Sequence, residues 1–177
     1  MGFKTSGELL ASLSGVVEVD ATNNVIVRDA KKLAGGAIDA LAREASIGEP
    51  AVKDYAQWLI WEAGRECGVQ AASIYALYMA RGRGEISGFS APAVNLRGMT
   101  YYSARALFRA AMKLHAGAFI FEIAKSEMGY TDQRPSEYTS QLLAAAIREG
   151  YRGPIFVQGD HFQANARKFN ENREKEV

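Results

Sequence analysis

Two adjacent polar residues, Asp160 and His161, follow an apolar run near the end of the chain. The run, residues 153–158, has the aromatic and β-branched content of a strand, and Gly159 separates it from the Asp-His pair. A carboxylate can transfer protons, and a neutral imidazole is a ready metal ligand. A pair of this kind after a parallel strand lies at the edge where α/β proteins keep their active sites. The sequence therefore predicts an active site here.

Polar side chains also end the two strands that we predict earlier in the chain. Asn95 and Arg97 end the first strand, and Glu122 and Lys125 end the second. Because the carboxyl ends of parallel strands share one edge of a sheet, these side chains are expected to surround one small molecule together with Asp160. A plainer interpretation stays open, in which Asn95 and Glu122 only satisfy the backbone of loops.

Lys125 allows more than one chemistry. A desolvated amine at a strand end can form a Schiff base with a carbonyl substrate. The alternatives are an ion pair with Glu122 or Glu127, or a contact with an anionic group of the substrate. We expect one of these alternatives, and no covalent adduct.

The elements that must position these residues alternate between strands and helices. The predicted strands cover residues 91–96, 117–124 and 155–158, the predicted helices cover 100–115 and 135–150, and 126–134 is predicted as a loop. This order is typical of an α/β fold with about three parallel strands joined by right-handed crossovers.

Residues 1–85 form a mostly helical N-terminal region in this prediction, and residues 86–177 carry the strands and helices just described. Predicted helices span 29–45, 51–68 and 71–81, with β-like stretches at 16–19 and 25–27. The link Arg81–Glu85 is interpreted as a solvated connection rather than a nucleic-acid patch.

The composition excludes several classes of function. The chain has 177 residues, with 21 Lys and Arg against 20 Asp and Glu, so no overall field draws it to nucleic acid or to an anionic membrane. Cys67 is the single cysteine, which excludes an intrachain disulfide and favours a structural thiol. No segment resembles a signal peptide or a membrane span, which predicts a cytoplasmic protein. The polar residues 170–177 are expected to be a solvated helix end or a frayed tail.

Two segments carry a resemblance to a known family. Phe-Ser-Ala-Pro-Ala-Val-Asn at 89–95 resembles the first-strand segment of the class II, metal-dependent ketose-bisphosphate aldolases. Val-Gln-Gly-Asp-His at 157–161 resembles the strand end that carries their catalytic aspartate and first zinc-binding histidine, and residues 121–126 stand at the matching place between them. Gly-Tyr-Thr at 129–131 is also similar to the related non-catalytic subunit of tagatose-bisphosphate aldolase.

The resemblance implies part of a TIM barrel, a divalent metal such as Zn²⁺, and reversible cleavage of a phosphorylated ketose. It implies that Asp160 moves the proton of the C4 hydroxyl, that His161 binds the metal, and that Asn95 contacts the substrate. We add Glu122 and Lys125 as substrate-binding candidates. The family's second strand commonly ends with a serine that helps hold the substrate, whereas this chain has Ala124, Lys125 and Ser126 around that point and an acid, Glu122, inside the strand.

The histidine count limits the metal site. Catalytic zinc takes three protein ligands, whereas this chain has two histidines, and His115 is predicted at the opposite end of the following strand. Three strands also cannot close an eight-stranded barrel. The chain is thus expected to be either the N-terminal part of a longer enzyme, with little turnover by itself, or an open sheet that completes itself as a homo-oligomer. An epimerase on the same scaffold and a non-catalytic subunit remain as alternatives.

Overall fold

A computed structural model describes residues 2–176 of the chain, which form a mixed α/β structure with a four-stranded parallel sheet. The helices are α1 (Ser6–Ser12), α2 (Ala30–Lys32), α3 (Ile38–Ile47), α4 (Pro50–Glu66), α5 (Tyr75–Gly82), α6 (Thr100–Lys113), α7 (Lys125–Thr131), α8 (Pro135–Glu149), α9 (Ala166–Glu171) and α10 (Arg173–Glu176). The strands are β1 (Val17–Val19), β2 (Val25–Val27), β3 (Val69–Ala72), β4 (Ala93–Asn95), β5 (Ile120–Ala124) and β6 (Gly153–Asp160). A π-helical turn, Leu33–Ala37, joins α2 to α3.

The first two strands form a short antiparallel hairpin outside the main sheet. Asp20 organises its turn, because the Oδ1 atom accepts hydrogen bonds from the backbone amides of Thr22 and Asn24 and from the Thr22 hydroxyl. The side-chain amide of Asn24, through Nδ2, also donates to Asp20 Oδ2 at 3.1 Å. The hydrogen bond from the Asn24 backbone, followed by those from the Thr22 and Asn24 side chains, lowers the pKa of Asp20 to about 2. The β-like stretches expected here are thus a hairpin held by one carboxylate.

The parallel sheet has the strand order β3-β6-β5-β4. Consecutive strands β4, β5 and β6 are neighbours, with Asn95 level with Glu122, and Ala124 level with Asp160. The prediction of about three parallel strands is therefore wrong by one strand. The additional strand, β3, pairs with the first half of β6, from Val69 opposite Gly153 to Ala72 opposite Phe156. Its alanines favour helix in isolation, which explains why the sequence pattern extended the next helix back over residues 71–72.

The segment 126–134, predicted as a loop, begins with α7 instead. Glu127 caps this helix by accepting the backbone N–H of Ala124 at 3.0 Å, and the Thr131 hydroxyl donates to the carbonyl of Glu127. The other predicted elements of this half are present with shifted ends. The strands predicted at 91–96 and 117–124 are shorter, and the one predicted at 155–158 is longer.

One face of the sheet packs against α4, α6 and α8. Phe121, Ile123 and Ile155 point to this face and belong to a core that also includes Leu59 of α4 and Phe108 of α6. The Phe108 ring lies 5.3 Å from that of Phe121, 5.7 Å from that of Phe119 and 4.9 Å from that of Tyr151. A continuous core thus joins elements from both sides of residue 85, and the domain boundary at that residue remains a prediction.

The opposite face of the sheet carries polar side chains between apolar ones. Helix α5 reaches it, because the hydroxyl of Tyr78 donates to Gln158 Oε1 at 3.2 Å. Ile120 and Ala124 are buried on this face, outside the main core. Among residues 2–176, no helix has the length and apolar character that crossing a membrane requires.

Candidate functional site

The ends of β4 and β6 meet at the carboxyl edge of the sheet. The side-chain amide of Asn95 donates a hydrogen bond to Asp160 Oδ2 at 3.2 Å, although β5 lies between the two strands. Asn95 also contacts Glu127, which in turn accepts a hydrogen bond from Arg97. We call Asn95, Arg97, Glu127, Asp160 and His161 the carboxyl-edge cluster.

The register of the strands explains why these groups converge. In a parallel sheet, residues that lie level on neighbouring strands point to the same face, and so do residues two positions apart on one strand. Asn95, Glu122 and Gln158 lie level on their three strands. Ala124 and Asp160 lie level with each other, two residues closer to the carboxyl edge. The side chain of Ala124 is only a methyl group, so it leaves space for the Asn95 side chain to pass across β5 and reach Asp160.

Glu127 lies at the centre of the cluster and is 3% exposed. Its oxygens accept hydrogen bonds from Arg97 Nε at 2.5 Å, Asn95 Nδ2 at 3.2 Å and the Ala124 amide at 3.0 Å. Burial acts to raise the pKa of Glu127, but the hydrogen bonds from Ala124, Asn95 and Arg97 together outweigh burial, and the pKa is lowered. The cluster therefore contains a buried carboxylate that is ionised at neutral pH.

Asp160 is the last residue of β6, and the chain bends at His161. His161 has a left-handed backbone with φ of 50°, and its Nε2 atom lies 3.5 Å from Asp160 Oδ1. The ring of Phe162 folds back over Gly159, where a Cβ atom would come within 2.5 Å of the ring. The Asp160 side chain is 30% exposed and that of His161 is 77% exposed, so both are accessible to a ligand.

Glu122 belongs to a second polar row on the same face. Its Oε1 atom accepts a hydrogen bond from Gln158 Nε2 at 2.5 Å, and Gln158 in turn accepts from Tyr78. The side chain of Glu122 thus contacts another strand rather than the backbone of a loop. Its role as a substrate-binding residue stays a prediction, as do those of Asn95 and Lys125.

Lys125 does not pair with Glu122 or Glu127, in contrast to the ion pair considered from the sequence. Its Nζ atom lies 3.4 Å from Glu176 Oε1, and its side chain is 54% exposed. A Schiff-base lysine needs a desolvated amine. The exposure of Lys125 therefore gives no support to covalent chemistry at this position.

The side chains of the cluster do not form a zinc site by themselves. Within residues 2–176, no group of three or more His, Cys, Asp or Glu side chains is arranged to hold a metal ion. His115 is exposed and follows α6, which places it at the beginning of β5 rather than at its carboxyl end. His161 is thus a single candidate ligand here, short of the three that catalytic zinc takes.

Reasoning from the sequence missed three residues of this region: Glu127, Gln158 and Tyr78. Glu127 had a usable signal, since an acidic residue three positions after a strand end is typical of a helix cap. Gln158 stands two residues before Asp160 and therefore shares its face. Tyr78 comes from a distant helix, and its position depends on the tertiary structure.

A separate cavity of about 360 Å³ lies between α3 and the beginning of α6. Exposed apolar side chains of Ile47, Met99 and Tyr102 line it, together with Asp39 and Arg43. Tyr101 also lines the cavity, and its hydroxyl donates a hydrogen bond to Asp39 Oδ1 at 2.5 Å.

Comparisons with known proteins gave no relative that carries a function over to this chain. No protein-family model matches it, and neither the curated proteins nor the solved structures include a significant match. Functional inference therefore depends on the geometry of the site and on the resemblance of short motifs.

Proposed function

We propose that the carboxyl-edge cluster is the acid–base part of a lyase site that cleaves a carbon–carbon bond in a phosphorylated ketose. The observation that carries the proposal is the hydrogen bond from Asn95 to Asp160, which joins the two motifs that resemble the class II aldolases. Asp160 is accessible and oriented, as a proton-transfer carboxylate must be.

The chemistry assigned to Asp160 is proton transfer at a substrate hydroxyl. In the cleavage direction, its carboxylate removes the hydroxyl proton, the C–O bond becomes a carbonyl, and the adjacent C–C bond breaks. The electron pair of that bond stays on the fragment that carries the original carbonyl group. Arg97, whose side chain is 64% exposed, and Lys125, at 54%, are cations at this edge that suit an anionic phosphate group.

The proposal includes a partial barrel as the scaffold. Strands β4, β5 and β6 are adjacent in chain order, with helices on one face and polar side chains on the other. This arrangement resembles consecutive β/α units of a TIM barrel, whose active sites lie at the carboxyl ends of the strands. Strand β3, which precedes these units in the chain but lies beyond β6, is a departure from barrel order.

A non-catalytic subunit is the second candidate. Strand β3 pairs with β6 only as far as Phe156, so the outer edge of β6 from Val157 to Asp160 has no strand partner among the described residues. Tyr78 and Phe162 are 46% and 54% exposed near that edge. Unpaired strand edges are sites where another chain can add.

The test combines binding and turnover in the 177-residue chain. We expect dihydroxyacetone phosphate, with Zn²⁺ present, to shift the NMR signals of Asn95 and Asp160. We expect Asp160→Asn to lower any cleavage of fructose 1,6-bisphosphate by about 10²–10⁴-fold. The matched control is Asp132→Asn, an exposed residue whose left-handed backbone tolerates asparagine.

The outcomes separate the two candidates. A wild-type chain that neither binds dihydroxyacetone phosphate at the cluster nor cleaves the bisphosphate contradicts the lyase proposal. If such a chain also forms a stable oligomer by light scattering, the non-catalytic subunit is favoured. Equal loss of cleavage in Asp160→Asn and Asp132→Asn would show that Asp160 has no special role.

A further inference from the structure

We propose that Glu127 is a positioning residue, which holds the Asn95 side chain so that its second N–H group is directed at Asp160. Glu127, Asn95 and Asp160 come from α7, β4 and β6 respectively, and Asn95 lies between the two carboxylates. The geometric part of this inference is independent of the reaction. The kinetic part rests on the proposed function.

The two side-chain N–H donors of Asn95 face two carboxylates, those of Glu127 and Asp160. A side-chain amide has two N–H donors. The Nδ2 atom of Asn95 lies 3.2 Å from Glu127 Oε1 and 3.2 Å from Asp160 Oδ2. Because the amide group is planar, fixing one N–H on Glu127 also fixes the direction of the other N–H.

Glu127 is the fixed end of this connection, and Asp160 is the accessible end. The side chain of Glu127 is 5% exposed, whereas that of Asp160 is 30% exposed. Three donors from three residues hold Glu127: the Ala124 backbone, Asn95 and Arg97. A carboxylate with this many partners has little freedom to rotate, and it transmits that order to Asn95.

Capping α7 does not account for all of these contacts. The cap uses a single hydrogen bond, from the Ala124 amide to Glu127 Oε2. The Oε1 atom accepts hydrogen bonds from Asn95 Nδ2 at 3.2 Å and from Arg97 Nε at 2.5 Å. Glu127 therefore does more than cap the helix, since Asn95 Nδ2 lies 3.2 Å from its Oε1 atom and 3.4 Å from its Oε2 atom.

The decisive variant is Glu127→Gln. Glutamine keeps one oxygen that can accept the Ala124 N–H, but it presents its own N–H donors toward Asn95. The matched control is Glu137→Gln, which changes a comparably buried carboxylate in the first turn of α8. Both variants lose one ion pair, with Arg97 and with Lys53 respectively, so a purely structural effect is shared by the two.

The primary readout is solvent exchange of the Asn95 side-chain amide protons, measured by NMR. We expect exchange to become at least about tenfold faster in Glu127→Gln and to stay unchanged in Glu137→Gln. In Asp160→Ala, the proton that faces Glu127 should remain protected. Unchanged exchange in Glu127→Gln, or equal acceleration in both glutamine variants, overturns the positioning role.

The kinetic readout is the division of the effect between kcat and KM. If the lyase proposal holds, Glu127→Gln lowers kcat by about tenfold, because Asp160 loses its oriented partner, and changes KM by a smaller factor, because the charge of Arg97 is kept. A wild-type chain that neither binds dihydroxyacetone phosphate at the cluster nor cleaves the bisphosphate contradicts the lyase proposal alone, since the exchange measurement still decides the positioning role.

Discussion

At the scale of single residues, the surroundings of each charged side chain decide how much it contributes to stability. Lys125 and Glu127 are two positions apart in the chain. Lys125 is half-exposed and has one partner, Glu176, at 3.4 Å, whereas Glu127 is buried and accepts hydrogen bonds from three donors. A surface ion pair contributes little to stability, whereas a buried charge depends on each of its partners. The sequence pattern singled out Lys125, and the structure shows Glu127 as the more constrained of the two.

Glu137 offers a stability test of the same principle. Its side chain is 7% exposed, and its oxygens contact Lys53 Nζ at 2.6 Å, the Ser46 hydroxyl at 3.0 Å and Gln133 Nε2 at 3.0 Å. We expect Lys53→Met to lower the free energy of unfolding by about 2–4 kcal/mol, because Glu137 then keeps only neutral donors. Urea denaturation followed by circular dichroism measures the change.

The control for this prediction is Lys32→Met. Lys32 pairs with Asp29 at 3.6 Å, and its side chain is 73% exposed. The expected change in the free energy of unfolding is below about 0.5 kcal/mol. Similar losses in Lys53→Met and Lys32→Met would mean that burial of Glu137 does not control the strength of its ion pair.

At the scale of elements, the hairpin of β1 and β2 connects stability to pH through Asp20. Its pKa is lowered from 3.8 to about 2, so the stabilisation from its hydrogen bonds is fully present above pH 3.8. Stabilisation is then lost as the pH falls toward about 2, where the folded-state carboxyl takes up its proton. We expect the stability difference between wild type and Asp20→Asn to shrink across this interval.

Urea denaturation at a series of acidic pH values checks this prediction. The difference in the free energy of unfolding between the two proteins should be largest above pH 3.8. A difference that stays constant down to pH 2 would show that the carboxylate charge of Asp20 plays no part in holding the turn.

How well the sequence predicted each element depended on the strength of its local signal. The long amphipathic helices α6 and α8 were predicted within a few residues, because their apolar positions repeat at helical spacing. Strand β3 was missed, since four residues with two alanines carry no period, and only pairing with β6 makes them extended. Helix α7 was missed because its seven residues carry no repeating apolar face, although Glu127 gave a usable signal for its cap.

The candidate site was predictable only in outline for a similar reason. Strand order and the rule for carboxyl ends were enough to expect Asn95 near Asp160. The contact of Glu127 with both Asn95 and Arg97 required the position of α7, which the sequence pattern did not supply. Tyr78 reaches Gln158 from a helix 80 positions earlier in the chain. No local pattern carries that information.

At the scale of the whole molecule, one core joins the N-terminal helices to the sheet. Helix α8 is buried along nearly its whole length. It contacts α3, α4 and α6 as well as strands β3 and β6 of the sheet. We expect a fragment of residues 86–177 to lack cooperative unfolding, because Leu142, Leu143 and Ile147 would lose contacts that the first half of the chain provides.

Thermal unfolding and the dispersion of amide proton signals test this expectation against the complete 177-residue chain. The full chain should unfold in one transition with dispersed signals, and the fragment should show poor dispersion. A fragment with dispersed signals and a sharp transition would instead support an independent folding unit on the C-terminal side of residue 85.

The pairing of β3 with the first half of β6 affects the direction of Asp160 at the other end of that strand. A slip of β6 by a single residue along its neighbours would turn Asp160 toward the helices and bring Gly159 and Val157 to the accessible side. Val69 opposite Gly153 and Ala72 opposite Phe156 help to prevent that slip from the far half of the strand. Substitutions in β3 can therefore change the direction of the Asp160 side chain without touching any residue near it.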